Sequence, residues 1–126
     1  MSTSIPISFE FFPPNTPVGD EKLITQVVPE LATLQPQYFS VTYGAGGSTR
    51  EKTLKTVQAI AAAGFEAAPH ISCVGSTRDN IRAILQTYKT LGIKRIVALR
   101  GDLPSGTATT GEFQYANELV SFIRAE

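Results

Sequence analysis

The sequence predicts an α/β protein with a parallel sheet, arranged either as an open doubly wound sheet or as part of a barrel. Three observations support this class. Strand-like and helix-like segments alternate, with four of each, at a spacing of about thirty residues. The strand-like runs are short and rich in Ile, Val, Phe and Tyr, which is typical of strands covered on both faces. The turn after the first run, Pro13–Pro17, has no glycine phosphate loop, which disfavours a dinucleotide-binding fold.

The first half of the chain contains two predicted strands, Ile5–Phe12 and Tyr38–Tyr43, each followed by a helix. We expect Asp20 to cap the first helix, and Pro29 to kink it or shift its start. The second helix begins with a capping box, Ser48 to Glu51, and ends at Gly64, where a left-handed residue is needed.

The second half repeats the pattern with strands Ala67–Val74 and Arg95–Leu99. The helix between them is expected to open with the cap-type residues of Ser76–Asp79 and to end at Gly92. A last helix is predicted over Glu112–Arg124, with an apolar stripe that includes Phe113. We expect residues 1–126 to form one domain, because neither a linker nor a low-complexity tract divides them.

Composition limits the function. The 126 residues are 42% hydrophobic and 17% charged, and 11 basic residues balance 11 acidic ones, so neither nucleic acid nor a membrane surface is expected as a partner. A single cysteine excludes an internal disulfide and a cysteine-rich zinc site, and no metal is expected. The chain shows neither a signal peptide nor a membrane span, so we expect a cytoplasmic protein.

Candidate functional residues follow from the architecture, because functional groups in parallel βα folds gather at the carboxyl ends of the strands. One polar or ionisable group falls near the end of each predicted strand, at a nearly constant period, so the sequence predicts that they share one rim. These residues are Glu10, Thr42 with Tyr43, His70, and Arg100 with Asp102.

Glu10 lies between Phe9 and Phe11, and a carboxyl group on a buried strand among aromatics would favour its protonated form, which suits a general acid. Alternatively, it is an edge-strand glutamate that faces solvent or pairs with a basic neighbour. Near the fourth strand, Asp102 can stabilise a cation or bond a heterocycle, while Gly101 allows close approach of a ligand. Arg100 and Asp102 can equally pair with each other.

The remaining candidates have simpler alternatives. His70 is the sole histidine, which argues against a zinc site and favours a core or ligand-contact imidazole. Cys73 is expected to be a small buried hydrophobic residue. The glycine-rich segment Thr42–Ser48 can bind an anion on its backbone N–H groups or simply form a tight turn before a helix.

Four motifs in order resemble the N-terminal part of the methylenetetrahydrofolate reductase family, and the resemblance covers essentially the whole chain. They are Ser8–Pro14 (SFEFFPP), Val41–Ala45 (VTYGA) with Ser48–Arg50 (STR), Pro69–Cys73 (PHISC), and Leu99–Pro104 (LRGDLP). The resemblance implies that the four βα units are the first half of a (β/α)8 TIM barrel. It also implies a cytoplasmic flavoprotein of one-carbon and methionine metabolism, which binds FAD at the rim and uses NAD(P)H to reduce 5,10-methylenetetrahydrofolate to 5-methyltetrahydrofolate.

The resemblance assigns roles residue by residue. Glu10 is implied to be the general acid that protonates N10 of the folate, which opens the five-membered ring to an iminium that accepts a hydride. Asp102 is implied to stabilise that cation and to tune the flavin. The implied FAD contacts are Thr42, Tyr43, His70, Arg100, Gly101 and Asp102.

Family members continue with four more βα units, so we expect this chain to carry part of the ligand pocket, and a homo-oligomer is expected. Two other hypotheses stay open. The chain is a non-catalytic half-barrel fragment that associates with itself through open sheet edges, or it is another small-molecule barrel or anion-binding α/β domain of the same architecture.

Overall fold

Four parallel strands form one sheet in the order β1-β2-β3-β4. In this computed structural model, which describes residues 5–43, 47–73, 76–101 and 112–126 but not the side chains of 47–50, the strands are shorter than the sequence predicts. They are β1 (Ser8–Phe11), β2 (Tyr38–Val41), β3 (Ala67–Ser72) and β4 (Val97–Leu99). The predicted α/β class with a parallel sheet is confirmed.

The chain divides into two compact units, Met1–Pro69 and His70–Glu126, and the boundary falls inside β3. In the first unit, β1 pairs with β2 and β2 pairs with the start of β3. In the second, the end of β3 pairs with β4. The prediction of one domain without a linker stays a prediction.

The core of the first unit is built around Phe39 of β2. Its ring lies 6.1 Å from that of Phe9 and 5.6 Å from that of Phe11, both in stacked arrangements, while Phe65 meets it edge-on at 5.8 Å. Phe9 and Phe39 are also register partners, so they share one face of the sheet. Because successive strand residues point to opposite faces, Glu10 lies on the other face from these rings.

The first helical region begins earlier than predicted and is irregular. Thr16, and not Asp20, caps α1 (Pro17–Lys22): its hydroxyl accepts the N–H of Gly19 at 3.0 Å. A π-helical segment follows over Leu23–Val27, and the chain then continues as α2 (Val28–Ala32). Pro29 lies in the first turn of α2. A proline has no N–H to donate to the backbone hydrogen bonds of the preceding helical turn, which explains why the helix is irregular near Pro29, as the sequence predicted.

The helix between β2 and β3, α3, spans Gly47–Ala62 and corresponds to the second helix that the sequence predicts. Gly64 has a φ of 94°, and the N–H of Phe65 donates to the carbonyl of Ile60 at 3.3 Å, as in a left-handed helix end. The predicted end of this helix is therefore confirmed. The predicted capping box includes Ser48, whose side chain lies outside the described residues.

In the second unit, α4 (Arg78–Thr90) opens within the predicted segment Ser76–Asp79, and Thr77 is its cap. The hydroxyl of Thr77 accepts the N–H of Asn80 at 3.2 Å. The helix ends as expected before Gly92, which has a φ of 78°.

The last helix, α5 (Ala116–Ala125), begins four residues later than predicted. Glu112 is instead held by α4, since its carboxylate accepts the N–H of Arg78 at 2.5 Å and lies 3.6 Å from that guanidinium. Phe113 is buried in the turn and not on the helix. Its ring meets that of Phe122 edge-on at 5.4 Å, and the guanidinium of Arg78 lies 5.3 Å from its centre.

Within the described parts of the chain, no helix has both the length and the apolar character that a membrane crossing requires.

Candidate active site

Glu10 is the third residue of β1 and the register partner of Ser40. Its side chain is exposed, whereas Phe9 and Phe11 on either side are half-buried. The expectation that the aromatic neighbours bury Glu10 is therefore wrong, because adjacent strand residues face opposite sides of the sheet. The side chain of Glu10 is instead accessible from solvent.

Thr42 and Tyr43 follow β2 directly, and both are half-buried. The backbone of Thr42 is held on both sides. Its N–H donates to the carbonyl of Phe11 at 2.9 Å, and its carbonyl accepts the hydroxyl of Thr53 at 2.7 Å. The first unit thus brings Glu10, Thr42 and Tyr43 to the carboxyl ends of two neighbouring strands.

In the second unit, Arg100 and Gly101 follow β4 directly, as predicted. The side chain of Arg100 is exposed, and its carbonyl accepts the hydroxyl of Ser72 at 3.0 Å. Gly101 has a φ of 82°, a left-handed conformation that suits glycine. The sequence singled out Gly101 for close approach of a ligand and not for this conformation, and that role stays a prediction.

His70 is buried inside β3 and pairs in register with Val97. It is the fourth of six strand residues, so the prediction that it lies at the end of the strand is wrong. The end position belongs to Ser72. The other interpretation of His70, a buried core imidazole, is consistent with this placement, since only 6% of the residue is exposed.

Asp102 and the loop residues Gly44, Ala45 and Gly46 lie outside the described residues. The predicted role of Asp102 therefore stays a prediction. The structure adds two residues that the sequence did not single out, Thr53 and Ser72. The hydroxyl of each one donates to the backbone carbonyl of a predicted site residue, Thr42 or Arg100. The sequence gives no sign of these bonds, because only the fold shows which carbonyl each hydroxyl reaches.

A surface cavity of about 170 Å³ lies in the first unit, beside the turn after β1. Two lysines line it, and each already has a partner: Lys52 donates to the side chain of Asn15 at 3.1 Å, and Lys55 lies 3.2 Å from Asp20. A second cavity of about 340 Å³ lies between β4 and α5 in the second unit and is lined by Lys94, Ile96 and Ile123 among others. Neither cavity is lined by a predicted site residue.

Cys73 is fully buried, as the sequence predicted. Burial raises the pKa of its thiol above the ordinary value, while a hydrogen bond with the backbone and, more weakly, the cation of Arg100 oppose that shift. Its sulfur lies 3.8 Å from the carbonyl of Arg100. The thiol is therefore a buried, protonated group near neutral pH and not a nucleophile.

We expect iodoacetamide to alkylate Cys73 at least about tenfold more slowly in the native protein than in urea, because the thiolate is both scarce and shielded. The raised pKa also has a consequence for stability. As the pH rises past the ordinary thiol pKa, the unfolded chain loses its proton first, so the stability contributed by this group is lost in alkaline solution. Mass spectrometry of the alkylated peptide measures the rate, and equal native and denatured rates would contradict the burial of the thiol.

A sequence model of the family described as methylenetetrahydrofolate reductase matches residues 2–126. The chain belongs to the methylenetetrahydrofolate reductase family. Its parallel four-stranded sheet with intervening helices agrees with the first half of the (β/α)8 barrel that the resemblance implied.

Individual relatives agree with this assignment. The chain is 42% identical over 121 residues to the 5,10-methylenetetrahydrofolate reductase of Salmonella typhimurium, and 41% identical over 121 residues to that of Escherichia coli. Each alignment covers 95% of this chain and 40% of the relative. The methylenetetrahydrofolate reductase 2 of Schizosaccharomyces pombe is 35% identical over 122 residues, which are 93% of this chain and 19% of that protein. The chain thus spans about 40% of the length of the bacterial relatives it matches.

Proposed function

We propose that the full-length protein reduces 5,10-methylenetetrahydrofolate to 5-methyltetrahydrofolate with electrons from NAD(P)H that pass through bound FAD. The observation that carries this proposal is the family match over residues 2–126. This chain would supply the general acid and one part of the FAD site. A cytoplasmic location and a place in methionine metabolism belong to the same proposal.

The side chains near the strand ends have the chemistry that FAD needs. The polar groups of FAD are mainly carbonyl oxygens, ring nitrogens and phosphates, and most of these groups accept hydrogen bonds. Thr42 and Tyr43 offer hydroxyl donors, and Arg100 offers an exposed guanidinium that suits phosphate or carbonyl oxygens. His70 offers an imidazole, although its side chain is buried inside β3. Gly101 has no side chain to keep a ligand from the backbone. When bound, FAD supplies hydride transfer between NAD(P)H and the folate.

Glu10 would act as the general acid. Its exposed carboxyl group on β1 can donate a proton to a substrate nitrogen, N10 of the folate, which weakens the bond from that nitrogen to the one-carbon bridge. Opening of the ring leaves a cationic iminium carbon. A negative charge at Asp102 would stabilise that cation, which is why both carboxyl groups belong to the proposal.

The test is a turnover assay on the purified full-length protein with NADH or NADPH and methylenetetrahydrofolate. We expect consumption of the nicotinamide to match the methyltetrahydrofolate formed, one for one, as measured by mass spectrometry. Nicotinamide oxidation without methyltetrahydrofolate, in a protein that binds FAD, would refute the proposed substrate.

Self-association is a second proposal, favoured by the position of β1 and β4 as the outer strands of the described sheet. Outer strands present backbone N–H and C=O groups that can pair with another copy. Light scattering of the 126-residue chain at rising concentration tests it. A mass that stays at one chain throughout would contradict this proposal.

A further inference from the structure

Two buried hydroxyl groups hold the backbone just beyond the ends of two strands. The hydroxyl of Thr53, in α3, donates to the carbonyl of Thr42 at 2.7 Å. The hydroxyl of Ser72, at the end of β3, donates to the carbonyl of Arg100 at 3.0 Å. Thr53 and Ser72 are both buried. The same arrangement therefore occurs once in each unit of the chain.

The bond from Thr53 differs from those of three other helical threonines among the described residues. Thr25, Thr87 and Thr90 each donate to the carbonyl four residues earlier, within one turn of their own helix. Such local bonds do little to fix tertiary structure. Thr53 instead reaches a carbonyl eleven residues away, in the segment that follows β2. Its hydroxyl ties α3 to the end of that strand.

In the first unit, this bond completes the restraint of Thr42. The N–H of Thr42 already donates to Phe11 at 2.9 Å, so Thr53 fixes the one remaining polar group of that residue's backbone. The dihedral angles on both sides of Thr42 are then restricted. The backbone from which the side chains of Thr42 and Tyr43 extend is consequently restrained relative to β1 and α3.

In the second unit, the last residues of β4 are held in a similar way. The carbonyl of Leu99 accepts the N–H of Cys73 at 3.1 Å, and the next carbonyl, that of Arg100, accepts the hydroxyl of Ser72. Gly101 then turns the chain with a φ of 82°. The hydroxyl of Ser72 thus fixes the point at which the backbone leaves the strand and from which the Arg100 side chain extends.

We propose that Thr53 and Ser72 are positioning residues for the cofactor site: their hydroxyls preorganise Thr42, Tyr43 and Arg100 for contact with FAD. The inference rests on the proposed function, since it takes those three residues as FAD contacts. Neither hydroxyl needs to touch the cofactor. A rigid contact residue loses less conformational freedom on binding, so removal of either hydroxyl weakens the binding of FAD.

The first test replaces Thr53 in the full-length protein and measures the dissociation constant of FAD for the apoprotein by quenching of flavin fluorescence. Thr53→Val keeps the shape and removes the hydroxyl, and we expect the dissociation constant to rise about tenfold. Thr53→Ser keeps the hydroxyl and should stay within about twofold of the wild type. Thr56→Val is the matched control, because Thr56 is also buried on α3, one turn further on.

The second test applies the same measurement to Ser72→Ala, with Ser76→Ala as its control, since Ser76 is a similarly buried serine of the same unit. We expect weaker FAD binding for Ser72→Ala alone. If one of the two positioning variants fails to fold, the other decides the question. Thermal unfolding of all variants separates a general loss of stability from an effect on the cofactor.

Wild-type affinity for FAD in both Thr53→Val and Ser72→Ala would overturn the positioning role and leave the proposed function intact. Controls that weakened FAD binding as much as the positioning variants did would overturn the positioning role as well. Failure of the wild-type protein to bind FAD would instead refute the proposed function, and the positioning role with it.

Discussion

Replacement of Glu10 by Gln should lower the turnover of methylenetetrahydrofolate by about 10³-fold, because the amide cannot donate the proton that opens the folate ring. The two side chains have nearly the same shape, and Glu10 is exposed on β1, so neither the fold nor FAD binding should change. The measurement is steady-state turnover of the full-length protein with folate, compared with its reduction of menadione by NAD(P)H, which needs no general acid. Menadione reduction should stay within about twofold of the wild type.

Glu66→Gln is the control for the change of charge. Glu66 is also exposed, but it precedes β3 and so lies at the amino end of a strand, away from the rim. It should turn over folate normally. If Glu10→Gln kept full folate turnover with FAD bound, Glu10 would not be the general acid.

Phe39→Ala should reduce the free energy of unfolding of the 126-residue chain by about 3–5 kcal/mol. Phe39 is 2% exposed, and its ring contacts those of Phe9, Phe11 and Phe65. Removal of the Phe39 ring leaves a cavity between Phe9 and Phe11 of β1 and Phe65, which follows α3. Chemical denaturation with urea, followed by circular dichroism, measures the change.

Phe12→Ala is the matched control, because Phe12 is 80% exposed and directly follows β1. It should change the free energy of unfolding by no more than about 0.5 kcal/mol. Equal losses for Phe39→Ala and Phe12→Ala would mean that the aromatic cluster around Phe39 is not the core of the first unit.

The sequence predicted the number of strands well because apolar β-branched and aromatic runs are local signals, and it predicted their parallel direction because helices alternate with them. It predicted their ends less well, since a strand ends where its neighbour stops pairing. Ile5 illustrates this. The sequence predicts it as the first residue of the first strand, yet it is 83% exposed and lies before β1, which begins at Ser8. Helix ends marked by Gly64 and Gly92 were predicted correctly, because a positive φ is a strong constraint on residue type.

Caps and burial were harder to predict. Thr16, Asp20, Ser76 and Thr77 are all suitable cap residues, and only the path of the chain decides which of them accepts the N–H group. The burial of Glu10 was misjudged from its sequence neighbours, which lie on the opposite face of the sheet.

The site was predicted in part. Arg100 and Gly101 could be located at a strand end because the apolar run before them is distinct. His70 could not, because β3 continues for two residues beyond it. The hydroxyl of Thr53 was beyond sequence reasoning, since its bond to Thr42 depends on how α3 packs.

The most direct test of the proposed function is anaerobic spectroscopy of the full-length protein reconstituted with FAD. We predict one bound FAD per chain, a visible flavin absorbance band that NAD(P)H bleaches, and return of that band when methylenetetrahydrofolate is added. A protein that takes up no FAD, or whose reduced flavin is not reoxidised by methylenetetrahydrofolate, would contradict the proposed function.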